Sequence, residues 1–199
     1  MEGVISNKYY YTCGSILLMT VLTSSKQEMA SLKVQKASSS EKNLFQPQYG
    51  VELTMTNQTL SDLTLDRCYT WSGTPTDPGF PGSIPADGSA TFTYLRGVDD
   101  GSIAAVVYTG ANESGTYAYV LAWDAPTDNT PTPNKVHVKC GPKSVIDSYT
   151  FDEIREYLNV SGQNSRARDI LLRIIASADI NDSNPNIATV GANFGVMRE

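Results

Sequence analysis

A β-sandwich flanked by one or two short helices is the fold class this sequence predicts, and three observations predict it. Short apolar segments repeat with a period of two and are rich in β-branched and aromatic residues; turns containing Gly and Pro separate them; and one strong helix signal falls late in the chain. Composition agrees: of 199 residues 40% are hydrophobic and only 18% charged, with 15 Gly, 10 Pro and 11 Tyr, a balance that suits strands and turns and excludes a long coiled coil. The length fits one domain with a tail rather than two full domains.

Residues 1–47 read as a flexible, mildly basic extension and residues 48–199 as the sandwich domain. Through Gln48 the chain carries five Lys against three Glu, and beyond it ten basic against eighteen acidic side chains. The junction S-S-S-E-K-N-L-F-Q-P-Q, residues 38–48, is too polar to order itself by burial. The apolar run from Ile16 to Leu22 is shorter than the ~20 residues that span a bilayer and lacks a following A-x-A pattern, so neither a transmembrane segment nor a signal peptide is expected. Met29, opening M-A-S-L-K-V-Q, is an alternative start to Met1. Three widely spaced cysteines, Cys13, Cys68 and Cys140, fit a reducing compartment, so a cytoplasmic protein, peripheral at membranes, is expected. Secretion is the alternative, raised by N-x-[ST] sequons at Asn57, Asn112, Asn159 and Asn181 and by the Ile16–Leu22 run read as the h-region of a signal peptide.

Along the domain, Val51, Leu53 and Met55 alternate with polar residues, then Leu63 and Leu65, then Ala90, Phe92 and Tyr94, each the pattern of a half-buried strand. Ile103–Tyr108 and Tyr117–Trp123 are continuous apolar runs that predict two central strands of a hairpin joined through T-G-A-N-E-S-G. Val136, Val138 and Cys140 alternate with Lys135, His137 and Lys139, a strand with its polar face outward. T-F-D-E at 150–153 is a capping box that starts a helix with Phe151, Ile154 and Leu158 on one face, ended by Asn159–Gly162; Tyr149 and Ile154 are placed to staple it. Residues 169–180 read as a further strand from the alternation of Ile170, Leu172, Ile174, Ala176 and Ala178.

The net charge of −6 excludes the basic footprint of a nucleic-acid binder and disfavours anionic membranes. The single histidine, His137, lies between two lysines on a polar strand face, which predicts a surface imidazole rather than a catalytic base, and no His-based metal site can form. No phosphate loop or calcium loop is present, so no cofactor, metal or catalytic residue is expected and the chain reads as a binding protein. Its aromatics are the better guide to function. In W-S-G-T-P-T-D-P-G-F-P-G-S-I-P, residues 71–85, Trp71 and Phe80 stand among turn formers, where Phe80 either covers the core or projects as an anchor for a partner or membrane. Tyr149, Phe151 and Tyr157, on or beside the helix, divide between packing on the sheet and lining a cage for a quaternary ammonium. Trp123 belongs to the core.

The order of T-M-T-N-Q-T (54–59), Y-T-W-S-G (69–73), I-P-A-D-G-S-A-T-F (84–92), G-S-I-A-A-V-V-Y (101–108), Y-V-L-A-W-D-A-P (119–126) and N-K-V-H-V (134–138) resembles the plant 23 kDa jasmonate-induced proteins. That family in turn looks distantly similar to the fungal lipid-binding protein nakanori and to the actinoporins. The resemblance covers residues 50–199, with most of its strength in the middle third. It implies an actinoporin-like β-sandwich, a non-enzymatic role in plant stress and defence, and affinity for zwitterionic or sphingolipid head groups. In such proteins a head-group site combines a Ser of an aromatic- or Arg-Ser-Gly turn, a Pro closing a central strand, and a set of tyrosines. Ser72 and Pro126 match in type and place, Asp124 stands where those proteins carry a serine, and Phe151 and Tyr157 lie on the equivalent helix. The expected ligand site is thus Trp71, Ser72, Phe80, Asp124, Pro126, Tyr149, Phe151 and Tyr157. Residues 15–34 lack a sustained amphipathic face, so no pore is expected. The alternative is a soluble glycan-binding, lectin-like or protein-interaction module using the same aromatics.

Overall fold

The structure, a computed structural model, describes residues 50–97, 101–126, 132–184 and 187–197. The expected extension, its boundary, the short apolar run and the Met29 start all lie outside these residues, as do Cys13 and the centre of the loop after Pro126.

The strands in chain order are β1 (Gly50–Gln58), β2 (Leu63–Ser72), β3 (Thr74–Pro75), β4 (Ser83–Ile84), β5 (Ser89–Leu95), β6 (Ser102–Asn112), β7 (Gly115–Ala125) and β8 (Lys135–Pro142). Two helices follow, α1 (Lys143–Ile146) and α2 (Phe151–Asn159), and then β9 (Asn164–Asp169), β10 (Ile174–Asn184) and β11 (Ile187–Val196). One sheet runs β3-β5-β1-β11-β10-β9 and the other β4-β2-β6-β7-β8. The first is mixed, because β1 pairs in parallel with β11 while its other pairings are antiparallel.

The period-two pattern delivers the core between the sheets. Val51, Leu53 and Met55 from β1, Phe92 and Tyr94 from β5, and Ala188, Val190, Ala192 and Phe194 from β11 are buried against Val106, Tyr108, Tyr119, Leu121 and Trp123 of the facing sheet. The β6–β7 pair is buried on both faces, as continuous apolar runs predict, because α1 and α2 cover its outer side. Its strands run further than the apolar residues do. They pair out to Asn112 and Gly115, so the connection is the two-residue turn Glu113-Ser114 rather than a seven-residue loop.

Two other expectations change. Residues 169–180 are not one strand: β9 ends at Asp169, the chain turns through 170–173 with Arg173 at φ 54°, and β10 starts at Ile174. Asp169 fixes that turn by accepting a hydrogen bond from the Leu172 amide at 2.9 Å, which buries Leu172 and leaves Ile170 and Leu171 exposed at its tip. The strands β3, β4, β9 and β11 went unpredicted, and α1 is the second of the one or two expected helices, at a place the sequence did not mark. Asn57, read as a sequon, is fully buried; its amide nitrogen donates to the carbonyls of Ser61, Ile84 and Pro85, and its oxygen accepts from the amide and hydroxyl of Thr59.

Candidate functional site

The helical cover forms where the sequence encodes it. Thr150 accepts from the Glu153 amide at 3.2 Å and Glu153 accepts from the Thr150 amide at 2.7 Å, the reciprocal capping box that starts α2. These contacts draw the Glu153 carboxyl below its usual range. Ile154 and Leu158 then press onto Ile103, Ala105, Val107, Ala118, Val120 and Ala122, the outer face of β6 and β7. Small side chains at Ala105, Ala118 and Ala122 leave room for a helix to approach.

Two aromatic groups border this contact, one on each side of α2. Toward β2, Tyr69 stacks on Phe151 with centroids 5.1 Å apart at 25°, and Trp71 meets both edge-on at 5.3 and 6.4 Å. Two guanidinium groups join them: Arg67 over Phe151 at 5.2 Å and Arg155 over Trp71 at 5.1 Å. Arg67 also donates to the carbonyls of Ile146 and Tyr149, closing the end of α1 and tying the α1–α2 connection to β2. Toward β8, Tyr157 stacks on His137 at 5.6 Å and meets Tyr149 at 6.0 Å, while the Lys139 ammonium lies 4.5 Å from the Tyr149 ring centre and 5.2 Å from that of Tyr157. Tyr149, expected to staple Ile154, is thus engaged in this group.

His137 is therefore not a surface imidazole. Tyr157 covers it, and burial, helped by the nearby Lys139 charge, lowers its pKa from 6.5 to about 4. The ring is neutral across the physiological range.

Ser72, Asp124 and Pro126 meet at one end of the same sheet. Ser72 pairs with Ile103, Ile103 with Asp124 and Asp124 with Lys135, so one row of the ladder carries both predicted polar residues two strands apart, about 10 Å. Ser72 Oγ donates to the Gly101 carbonyl at 3.0 Å. Gly101 sits at φ 82° with Pro126 so close that a Cβ there would lie 2.7 Å from the Pro126 Cα, a conformation and an approach open to glycine alone. Lys135 extends the row to the helix by donating to the Asn159 carbonyl at 2.7 Å.

Phe80 lies elsewhere. It packs on Phe92 at 5.3 Å, Tyr94 at 5.8 Å and Trp123 at 6.4 Å, so of its two expected placements the structure has the one that covers the core, and the projecting anchor is corrected. The physical reason is that three rings at the open edge of the sandwich offer an aromatic side chain more buried contact than solvent does. Seven of the eight predicted residues thus gather on or beside the helix-covered sheet, and Phe80 does not join them.

Arg67, Tyr69, Lys139 and Arg155 were missed as site residues. Alternation in R-C-Y-T-W signals the first two, since it sets Arg67, Tyr69 and Trp71 on one face. A register shift between Leu65 and Arg67 shows why Leu65 can face the core while Arg67 faces the helix: the extra residue Asp66 reverses the parity.

Two sheets enclosing one core, with helices on a single outer face, define a β-sandwich protein of the same fold as the lipid-binding protein Nakanori, whose structure superposes with a TM-score of 0.63 over 74% of this chain and 71% of that one at 18% identity. A lectin from Xerocomus chrysenteron superposes over 73% of this chain and 99% of its own, at 13% identity and a TM-score of 0.46. The chain belongs to the jasmonate-induced protein family: it is 35% identical over 177 residues to the jasmonate-induced protein homolog of Atriplex canescens, covering 88% of this chain and 95% of that one. No family model matches the sequence.

Proposed function

We propose that this stress-associated β-sandwich is a non-enzymatic protein that binds membrane lipid head groups at the helix-covered face of the β2–β8 sheet and does so without forming a pore. The observation that carries the reading is the ordered array of rings and cations there: Tyr69, Trp71, Tyr149 and Tyr157 with Arg67, Lys139 and Arg155. Tyr69 and Tyr157 are 46% and 41% exposed, so these rings can reach a ligand as well as the sheet. Aromatic rings bearing a polar tip, beside cations, match a membrane interface, which is part apolar and part charged. The fold shared with a lipid-binding protein adds support. The one histidine serves this site as a neutral stacking surface for Tyr157 rather than as a catalytic base. Cys68 is disulfide-bonded, which counts against the reducing compartment expected from the cysteine spacing and favours the secreted alternative. No helix among the described residues is long and apolar enough to cross a bilayer, so the membrane contact proposed is one of surface binding.

Co-sedimentation with neutral vesicles, with and without sphingolipid plus sterol, tests the reading. Pelleting with the sphingolipid vesicles, reduced at least fivefold by Tyr157→Ala with the fold retained, is the expected result. Dye-loaded vesicles stay sealed. Failure to pellet with either composition overturns it and favours the second reading, a glycan-binding module in which Tyr69 and Trp71 stack on a sugar.

A further inference from the structure

The space between Tyr149 and Tyr157 is already filled from within. The rings stand 70° to one another, and the Lys139 ammonium lies within 5.2 Å of both centroids. Such a ring pair attracts any cation, at ~0.5 to 2 kcal/mol per contact. A ligand's quaternary ammonium and the lysine therefore compete for one position. The lysine has the advantage of attachment, because a tethered group competes at an effective concentration of order millimolar or above, without the loss of translational freedom that a free head group bears. His137 strengthens this arrangement: stacked on Tyr157 as a neutral ring, it fixes that side chain without adding a second positive charge beside Lys139.

Ring faces satisfy the charge of Lys139 but are weak hydrogen-bond acceptors, so its N–H donors remain suited to an anionic oxygen. We propose that Lys139 is the specificity residue of the head-group site: by filling the tyrosine pair itself, it turns away a ligand's quaternary ammonium and receives the ligand's phosphate instead. A zwitterionic head group is then held by its phosphate, with its ammonium directed out of the tyrosine pair. The inference rests on the head-group reading and adds to it the part of the head group that is recognised.

Two small probes separate the possibilities in the full-length protein by ligand-observed NMR: glycerol 3-phosphate, which has a phosphate and no amine, and choline, which has the ammonium and no phosphate. The wild-type protein should bind glycerol 3-phosphate at least tenfold more tightly than choline. Lys139→Met should reverse the order by gaining choline and losing at least fivefold for the phosphate, and Lys139→Gln provides a second variant should the first fold poorly. Equal or preferred binding of choline by the wild type overturns the proposal, and so does an unchanged ratio in both variants. If either occurs while sphingolipid vesicles still pellet the wild type, the head-group reading survives and the role of Lys139 does not. If neither probe nor vesicle binds, both fall.

Discussion

Tyr157 lies flat on His137, the ring centroids 5.6 Å apart and the planes 18° from parallel, so a residue of α2 sets the chemistry of a residue of β8. The contact joins helix to sheet and shields part of the imidazole from water. Because the chain has one histidine, its titration can be followed without assignment.

The first prediction follows from that burial. The imidazole resonances should titrate near pH 4, and Tyr157→Ala should move the midpoint back toward 6.5 by rehydrating the ring. A wild-type midpoint at 6.5 would show that the helix does not cover His137 in solution.

Stability should depend on pH in the same window. The folded pKa is depressed, so between pH 6.5 and 4 the unfolded chain binds the proton that the folded chain refuses, and the fold loses stability as pH falls through that range. Partial exposure of the ring discounts the effect to about 1–2 kcal/mol. Urea denaturation at pH 7 and pH 4.5 should show this loss in the wild type and a smaller one in His137→Gln; equal losses would assign it to other groups.

Phe80→Ala should destabilise the protein by about 2 kcal/mol, less than the 3–5 typical of a fully enclosed phenylalanine because its ring covers the core from one side. Phe80→Leu should recover more than half of the loss. A change under about 0.5 kcal/mol on chemical denaturation would remove Phe80 from the core.

Asn57 is a structural residue. Asn57→Ala strips a donor from the carbonyls of Ser61, Ile84 and Pro85 and should cost about 2–4 kcal/mol, measured as a shift in denaturation midpoint. Expressed through a secretory pathway, the folded protein should carry no glycan at Asn57 by peptide mass mapping. A modified Asn57 in a protein of native stability would contradict its burial.

Thr150→Ala should weaken α2 by about 1 kcal/mol, because it leaves the Glu153 amide without its cap. Far-ultraviolet circular dichroism and thermal melting would register it, and a null effect would mean that packing of Ile154 and Leu158 alone holds the helix.

What was legible along the chain was local. The alternation of Val51, Leu53 and Met55, and of Val136, Val138 and Cys140, names the buried face of each strand, since successive side chains point to opposite sides whatever the strand pairs with. The capping box needs only four consecutive residues. By contrast, β11 escaped notice because its inward positions include Ala188 and Ala192, too small to make a strong pattern, and β9 because its sequence N-S-R-A-R-D is that of a polar edge.

The sequence by itself determined the two-layered β class, the strands of the central hairpin, the start of α2 and most of the residues that border it. Tertiary structure alone decided how those residues meet: the parallel pairing of β1 with β11, the bulge that turns Arg67 toward the helix, the inward turn of Phe80, and the packing of Tyr157 on His137 and Lys139. The reason is physical. Periodicity and caps are set by neighbours a few residues away, whereas the polarity of a side chain's surroundings depends on which distant element lies over it. His137 and Tyr157 are twenty residues apart in the chain, and only packing makes them one site.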